Sequence, residues 1–267
     1  MPEPMLTCRT TKNPQSRRGL HTVVLLHAFP LSAAMWDAQL MALEEAGIAA
    51  IAPNAYGIEG SPEKTDWTFE EYARDISAML DEAGCGKVTV AGLSMGGYQA
   101  FAFYRLYPER TASLVLCDTR AEADAPEAAR QRQEFIEAVE TKGPGEAVKR
   151  MMPNYFSPAT YTADPSLVER AAAMITRQSP AAITSAMKAI MKRADSTALL
   201  SGITCPVLVL NGSEDRLTTP ETARSIAEGI AGSRLEMIAD AGHLANMEKP
   251  EAFNRALLEH IGRLGTH

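Results

Sequence analysis

The sequence predicts an α/β protein, a doubly wound and mostly parallel sheet interrupted by one all-helical insertion. Three observations carry this. First, short apolar runs recur: "TVVLLH" (22–27), "IAAIAP" (48–53), "KVTVAG" (87–92), "SLVLCD" (113–118), "PVLVLNG" (206–212) and "RLEMIA" (234–239). Most are apolar nearly throughout, as strands covered on both faces are. Second, helical periodicity follows them at 69–83, 97–107, 220–231 and 250–262. That alternation implies parallel strands joined by right-handed crossovers. Third, no strand candidate occurs from about Ala121 to Asp195.

Taken in order, the first twenty residues are too short and too polar for a β-hairpin, and whether they add an edge strand to the sheet stays open. The six runs with their helices make a core domain over 1–120 and 196–267. Between these parts, amphipathic segments near 126–142, 144–152, 164–178 and 180–193 form a helical insertion over 121–195. Pro126, Pro144, Pro153, Pro158, Pro165 and Pro180 punctuate it. Its methionines (Met151, Met152, Met174, Met187, Met191) read either as core filler or as a soft wall over a pocket.

Bulk composition excludes several function classes. The 267 residues are 46% hydrophobic and 22% charged, enough for a sizeable core without long disorder. A net charge of −7 argues against nucleic acid and anionic membranes as partners. No apolar run approaches the roughly 18–20 residues of a membrane span, and the first twenty residues lack the apolar stretch of a signal peptide. Cys8, Cys85, Cys117 and Cys205 are scattered without metal-binding spacing, so they read as thiols in a reducing cytoplasm, and no metal is expected.

The chemistry-bearing stretch is "VTVAGLSMGG" (88–97). Gly92-Leu93-Ser94-Met95-Gly96 matches G-x-S-x-G on a strand–turn–helix boundary. The sharp turn would lift the Ser94 hydroxyl above the strand ends, where ligands bind open α/β sheets. A serine needs a base to take its proton. Of His21, His27, His243, His260 and His267, only His243 sits in a polar turn after the last strand, on the edge expected for Ser94. The base needs an orienting acid. Asp215, in "NGSEDRLTTP", follows the preceding strand; Glu214 beside it is expected to point away, and Asp118, ending "LVLCD", is the competitor. Two backbone N–H groups are assigned to an oxyanion hole: Met95, directly after Ser94, and Phe29, in the loop "HAFP" after the first strand. His27 reads as a brace for that loop, and Pro30 as a rigid point able to take a cis bond.

These motifs, "GLSMGG", "NGSEDRLTTP", "GHLANMEKPEAF" and "HAFPLS", together resemble the α/β-hydrolase superfamily from about residue 22 onward. The resemblance is greatest to 3-oxoadipate enol-lactonase-like and carboxylesterase-like members, and "HAFPLS…W", which includes Trp36, is similar to the cofactor-free haloperoxidase/perhydrolase branch. It implies an α/β-hydrolase fold with the insertion as its cap. It also implies hydrolysis of a small ester or lactone through an acyl-serine, with no cofactor. Two departures stand out. Ala28 replaces the family's usual glycine and would shift the oxyanion loop. Asn54 and Tyr56 stand where members often carry Asp and Arg. Candidate substrate contacts are Trp36, Met152, Tyr155 and Phe156, with Arg120 the cation considered for a carboxylate substrate. A slow-turnover ligand-binding homologue and a perhydrolase side activity stay open as alternatives.

Overall fold

The computed structural model describes residues 5–13 and 21–264. Seven strands form one sheet: β1 (Cys8–Thr10), β2 (Thr22–Leu26), β3 (Ala50–Pro53), β4 (Val88–Leu93), β5 (Thr111–Cys117), β6 (Val207–Gly212) and β7 (Arg234–Ile238). Their spatial order is β1-β3-β2-β4-β5-β6-β7. All neighbours run parallel except β1, which lies antiparallel to β3 with Cys8 opposite Pro53. The structure thus answers the question the sequence leaves open for this segment. A three-residue edge strand is present there, too short and too polar to leave a periodic signal.

The helices are α1 (Asp37–Glu45), α2 (Phe69–Glu82), α3 (Met95–Leu106), α4 (Pro126–Lys142), α5 (Pro144–Met151), α6 (Thr160–Ala163), α7 (Pro165–Thr176), α8 (Pro180–Met191), α9 (Thr197–Leu200), α10 (Pro220–Gly229), α11 (Ala245–Glu248) and α12 (Pro250–Leu264). Six of them open on proline, which has no N–H to leave unsatisfied and a backbone angle already set for the first turn. A capping box sets the start of α2: Thr68 Oγ1 accepts from Glu71 N–H and the Glu71 carboxylate accepts from Thr68 N–H.

The central strands explain the apolar runs. Every residue of β4 and β6 is buried, because helices cover both faces of the sheet. α3, which follows β4, is buried from Met95 to Tyr104. Sheet order reverses between β2 and β4, since β2 leads outward to β3 while β4 starts the opposite run. The C-terminal ends of β2 and β4 meet there, with Leu26 level with Gly92. Such a switch point leaves a crevice above the strand ends.

Between β5 and β6 the chain forms helices and no strand. The entrance and exit of this segment are tied together. Ser196 N–H donates to Ala121 O at 2.8 Å, and Ala123 N–H to Asp195 Oδ2 at 2.9 Å. α8 packs on α4 and also approaches the loop after β3, where a Cβ on Gly57 would lie 2.9 Å from the Ala182 Cβ. Among the described residues, no helix is long and apolar enough to cross a membrane.

Two buried histidines make the fold acid-sensitive. His27 bridges Ala28 O and Ala55 N–H, both at 2.9 Å, as a neutral ring. Burial pushes it down to about 4. His260 on α12 is also pushed to about 4, by burial and then by the charges of Arg234 and Arg263. Unfolded, each binds a proton below about pH 6.5. Between pH 6.5 and 4 the unfolded chain therefore holds more protons, and stability falls as pH drops through that window. Each ring contributes a loss on the order of 3 kcal/mol. Urea unfolding at pH 7, 5.5 and 4 should show this decline, and His260→Leu should remove about half of it. A stability unchanged from pH 7 to 4 would contradict the assignment.

Candidate active site

Ser94 stands at the turn between β4 and α3 with φ 55° and ψ −112°, a left-handed angle that a serine seldom adopts. Two close approaches hold it there. A Cβ on Gly92 would lie 2.1 Å from Gly96 O, and one on Gly96 would lie 2.1 Å from Leu26 O. Any side chain at either position would push the helix off the sheet, so G-x-S-x-G is a packing requirement here. The strained residue is otherwise well bonded. Its N–H donates to Cys117 O at 2.9 Å, and its carbonyl accepts from Thr119 Oγ1 at 2.8 Å.

His243 follows β7 and Asp215 follows β6, so both rise from the same edge as Ser94. His243 Nδ1 lies 2.8 Å from Asp215 Oδ2. A carboxylate only accepts, so Nδ1 carries the proton and Nε2 is left with its lone pair. Asp215 also accepts from Leu217 N–H at 2.7 Å, Thr218 N–H at 3.1 Å and Thr218 Oγ1 at 2.5 Å. Burial alone would raise the Asp215 carboxyl. The pairing with His243 and these donors outweigh it and hold Asp215 below the usual carboxylate range. Thr218 is a site residue that motif reading missed. Its signal was the Asp-x-x-Thr spacing of an Asx-type turn.

Among the described residues neither rival acid bonds to His243. Glu214 is exposed. Asp118 is fully buried, and its Oδ1 accepts from Gly212 N–H at 2.7 Å. Burial, followed by the negative charge of Asp215, pushes its carboxyl well up, towards the neutral form.

The loop after β2 carries Phe29, joined to Pro30 by a cis peptide bond. Neither Phe29 N–H nor Met95 N–H has an acceptor among the described residues. Ala28 keeps an ordinary negative φ, so this loop does not require a glycine there. Its N–H points at the Met35 sulfur, 3.1 Å away. Asn54 takes over part of the bracing, with Oδ1 accepting from Ala33 N–H at 2.8 Å. Tyr56 OH bonds to Asp75.

Ser94, His243, Phe29 and Thr218 open into one cavity of about 350 Å³. Its walls come largely from the segment between β5 and β6: Phe135 from α4, Met151 from α5, Met187 and Ile190 from α8. Arg120 lines it too, and its Nη2 donates to Leu217 O. Four residues expected to contact substrate, Trp36, Met152, Tyr155 and Phe156, lie outside this lining. Trp36 is fully buried against Phe253 of α12, at 5.9 Å between rings. Met152 is buried one residue past the wall methionine Met151. Phe156 packs edge-on to Tyr161.

Tyr155 lies behind the cavity rather than in it. Its ring stacks on His243 at 6.0 Å and 22°, and its hydroxyl donates to Phe29 O. Its carbonyl accepts from Leu244 N–H at 2.9 Å. One side chain therefore touches both the imidazole and the Phe29 loop. Glu248 adds a second tie, accepting from Gly242 N–H at 2.6 Å and Ser157 N–H at 3.0 Å. Tyr155→Phe keeps the ring and removes the bond to Phe29. Turnover number should fall by about tenfold, with little change in KM, since small misplacements of reacting groups act on the chemical step. A wild-type turnover number in a folded Tyr155→Phe would show that the bond is only structural.

Residues 23–256 match the Alpha/beta hydrolase family. A 3-oxoadipate enol-lactonase from Acinetobacter baylyi is 27% identical over 191 residues, which is 72% of this chain and 70% of that protein. A thermophilic esterase from Thermogutta terrifontis, solved with malate bound, is 36% identical with a TM-score of 0.92, over 98% of this chain and 94% of that one. A hydrolase from Pseudomonas aeruginosa is 29% identical with a TM-score of 0.85, over 96% of this chain and 93% of that one.

Proposed function

The chain belongs to the alpha/beta hydrolase family, and on that premise we propose that it is a serine hydrolase that cleaves small carboxylic esters or lactones through an acyl-Ser94 intermediate. The observation that carries this reading is the shared cavity. Ser94 enters it from its strained turn, and His243, backed by Asp215 at 2.8 Å, enters it from the neighbouring strand ends. Similarity to proteins named as an esterase and an enol-lactonase supports the same class.

In this mechanism His243 Nε2 takes the Ser94 proton as Oγ attacks the carbonyl carbon. Phe29 N–H and Met95 N–H hold the developing oxyanion, and the second of these also sits at the N-terminus of α3. The tetrahedral centre collapses and the leaving alkoxide receives the proton from His243. Water then attacks the acyl-serine with the same imidazole as base, which releases the acid and restores Ser94. The segment 121–195 serves as a cap that shapes the pocket and sheds water from it.

A p-nitrophenyl ester series from acetate to octanoate tests this. A cavity of about 350 Å³ lies at the small end of ligand pockets, so short chains should turn over and octanoate should fall away. Absence of turnover across esters and lactones by folded protein would leave a ligand-binding role instead.

A further inference from the structure

We propose that Met35 is a positioning residue for acyl transfer: its sulfur steadies the backbone that presents the Phe29 N–H to the oxyanion, and its carbonyl locks that loop to the segment carrying His243; this rests on the serine hydrolase reading above. The Phe29 N–H and the Ala28 carbonyl belong to one peptide plane, so whatever holds Ala28 aims the donor. Ala28 O accepts twice, from Leu31 N–H and from His27 Nδ1, both at 2.9 Å. The proton is on Nδ1 because Nε2 accepts from Ala55 N–H, also at 2.9 Å. The peptide plane on the other side of Ala28 has a single anchor on its N–H. Ala28 N–H donates to Met35 Sδ at 3.1 Å and has no other acceptor among the described residues.

A thioether is a weak acceptor, but burial makes this one matter. Ala28 is fully buried and Met35 is 2% exposed. A buried N–H that loses its partner carries the full cost of its desolvation. Any turn of the Ala28 backbone that relieves this re-aims the next N–H, that of Phe29. Packing alone does not call for sulfur here, since leucine and methionine exchange with little change of volume. Tyr155 grips the same loop at Phe29 O, on the other side of the donor, so the two ties are separate.

Met35 is itself held in place. It lies in the short 3-10 turn Ala33–Trp36. Its carbonyl accepts from Asn246 Nδ2 at 2.9 Å, and Asn246 follows His243 closely in the chain. Asn246 is fully buried, and Gln39 clamps it at both ends: Gln39 Oε1 accepts from Asn246 Nδ2 and Gln39 Nε2 donates to Asn246 O, each at 3.1 Å. The base and the oxyanion donor are thus kept in register through one methionine, with the sulfur on the donor side and the carbonyl on the base side.

The test compares wild type, Met35→Leu and Asn246→Leu on p-nitrophenyl acetate and butyrate, with active sites counted by an organophosphate. Inhibition by a trifluoromethyl ketone is measured beside it, because addition of Ser94 Oγ to that ketone places an oxyanion in the hole. Met35→Leu should lower kcat about tenfold with KM within about twofold, a fraction of the hundredfold or more lost with a whole oxyanion donor. Its affinity for the ketone should fall by the same factor as kcat/KM. The pH midpoint of kcat/KM should stay where it is in the wild type, since His243 and Asp215 are untouched. Asn246→Leu should show the same pattern with a smaller loss, and the double variant should be no worse than Met35→Leu, because both act through one residue. Wild-type kcat and ketone affinity in Met35→Leu would overturn the inference. So would a fall in kcat with ketone affinity unchanged, which would make Met35 merely structural. If Met35→Leu does not fold, Asn246→Leu decides by the same two readouts. These results leave the hydrolase reading intact. A wild type that neither turns over ester nor binds the ketone would overturn both.

Discussion

Ser94→Ala is expected to lower ester turnover by roughly a millionfold, to within a few thousandfold of the uncatalysed rate. The loss is this large because the other parts cannot act alone. Without Oγ there is no acyl-enzyme, and His243 has no proton to take at the start. What survives is ground-state binding in the cavity and the two N–H groups of Phe29 and Met95, which can still polarise a carbonyl towards water. The variant should fold normally. Ser94 is half-buried, and its backbone bonds to Cys117 and Thr119 do not involve Oγ. Residual activity within about tenfold of the wild type, in a preparation free of contaminating esterase, would remove Ser94 from the reaction.

Asp215→Asn is expected to cost about ten-thousandfold in turnover number, with KM little changed. An asparagine fills the same space, but its amide can turn an N–H towards His243 Nδ1. That favours the tautomer with the proton on Nε2, which then cannot accept from Ser94. Thr218 would still bond the remaining oxygen, so the loop should stay in place. The matched control is Asp118→Asn. Asp118 is held towards its neutral acid form and its Oδ1 accepts from Gly212 N–H, so an amide is nearly isosteric and the loss should stay below about tenfold. If Asp118→Asn cost more than Asp215→Asn, the orienting acid would have been assigned to the wrong strand.

Most of what positions this site is legible in the sequence, for identifiable reasons. Strands buried on both faces leave unbroken apolar runs, so β2 to β6 can be read directly, while half-buried β7 shows as Leu235 and Met237 alternating with Arg234 and Glu236. Residues just beyond such runs fall on one edge of a parallel sheet. That is why Ser94, Asp215 and His243 can be brought to one place from their positions alone. The cavity wall is harder. Consecutive residues on a helix point about 100° apart, so amphipathic periodicity finds α5 yet does not tell Met151, in the wall, from Met152, in the core. Trp36 is buried by Phe253, more than two hundred residues away in sequence, a contact that no local pattern announces. Tyr155 stands out as an aromatic near the site, but its position behind His243 depends on how the segment after α5 folds back on the imidazole. Arg132, by contrast, lies on the charged helix α4 with no local signal of its own, and its pairing with Asp124 holds it in the cavity lining.

The central claim is that acyl transfer runs through Ser94. The most direct measurement is mass spectrometry of the protein quenched within milliseconds of mixing with a p-nitrophenyl ester, followed by peptide mapping. The account predicts one acyl group per chain on the peptide that contains "GLSMGG", located at Ser94, released on further incubation and absent from Ser94→Ala. Active protein that turns over ester with no acylated peptide, or with the acyl group on another side chain, would contradict it.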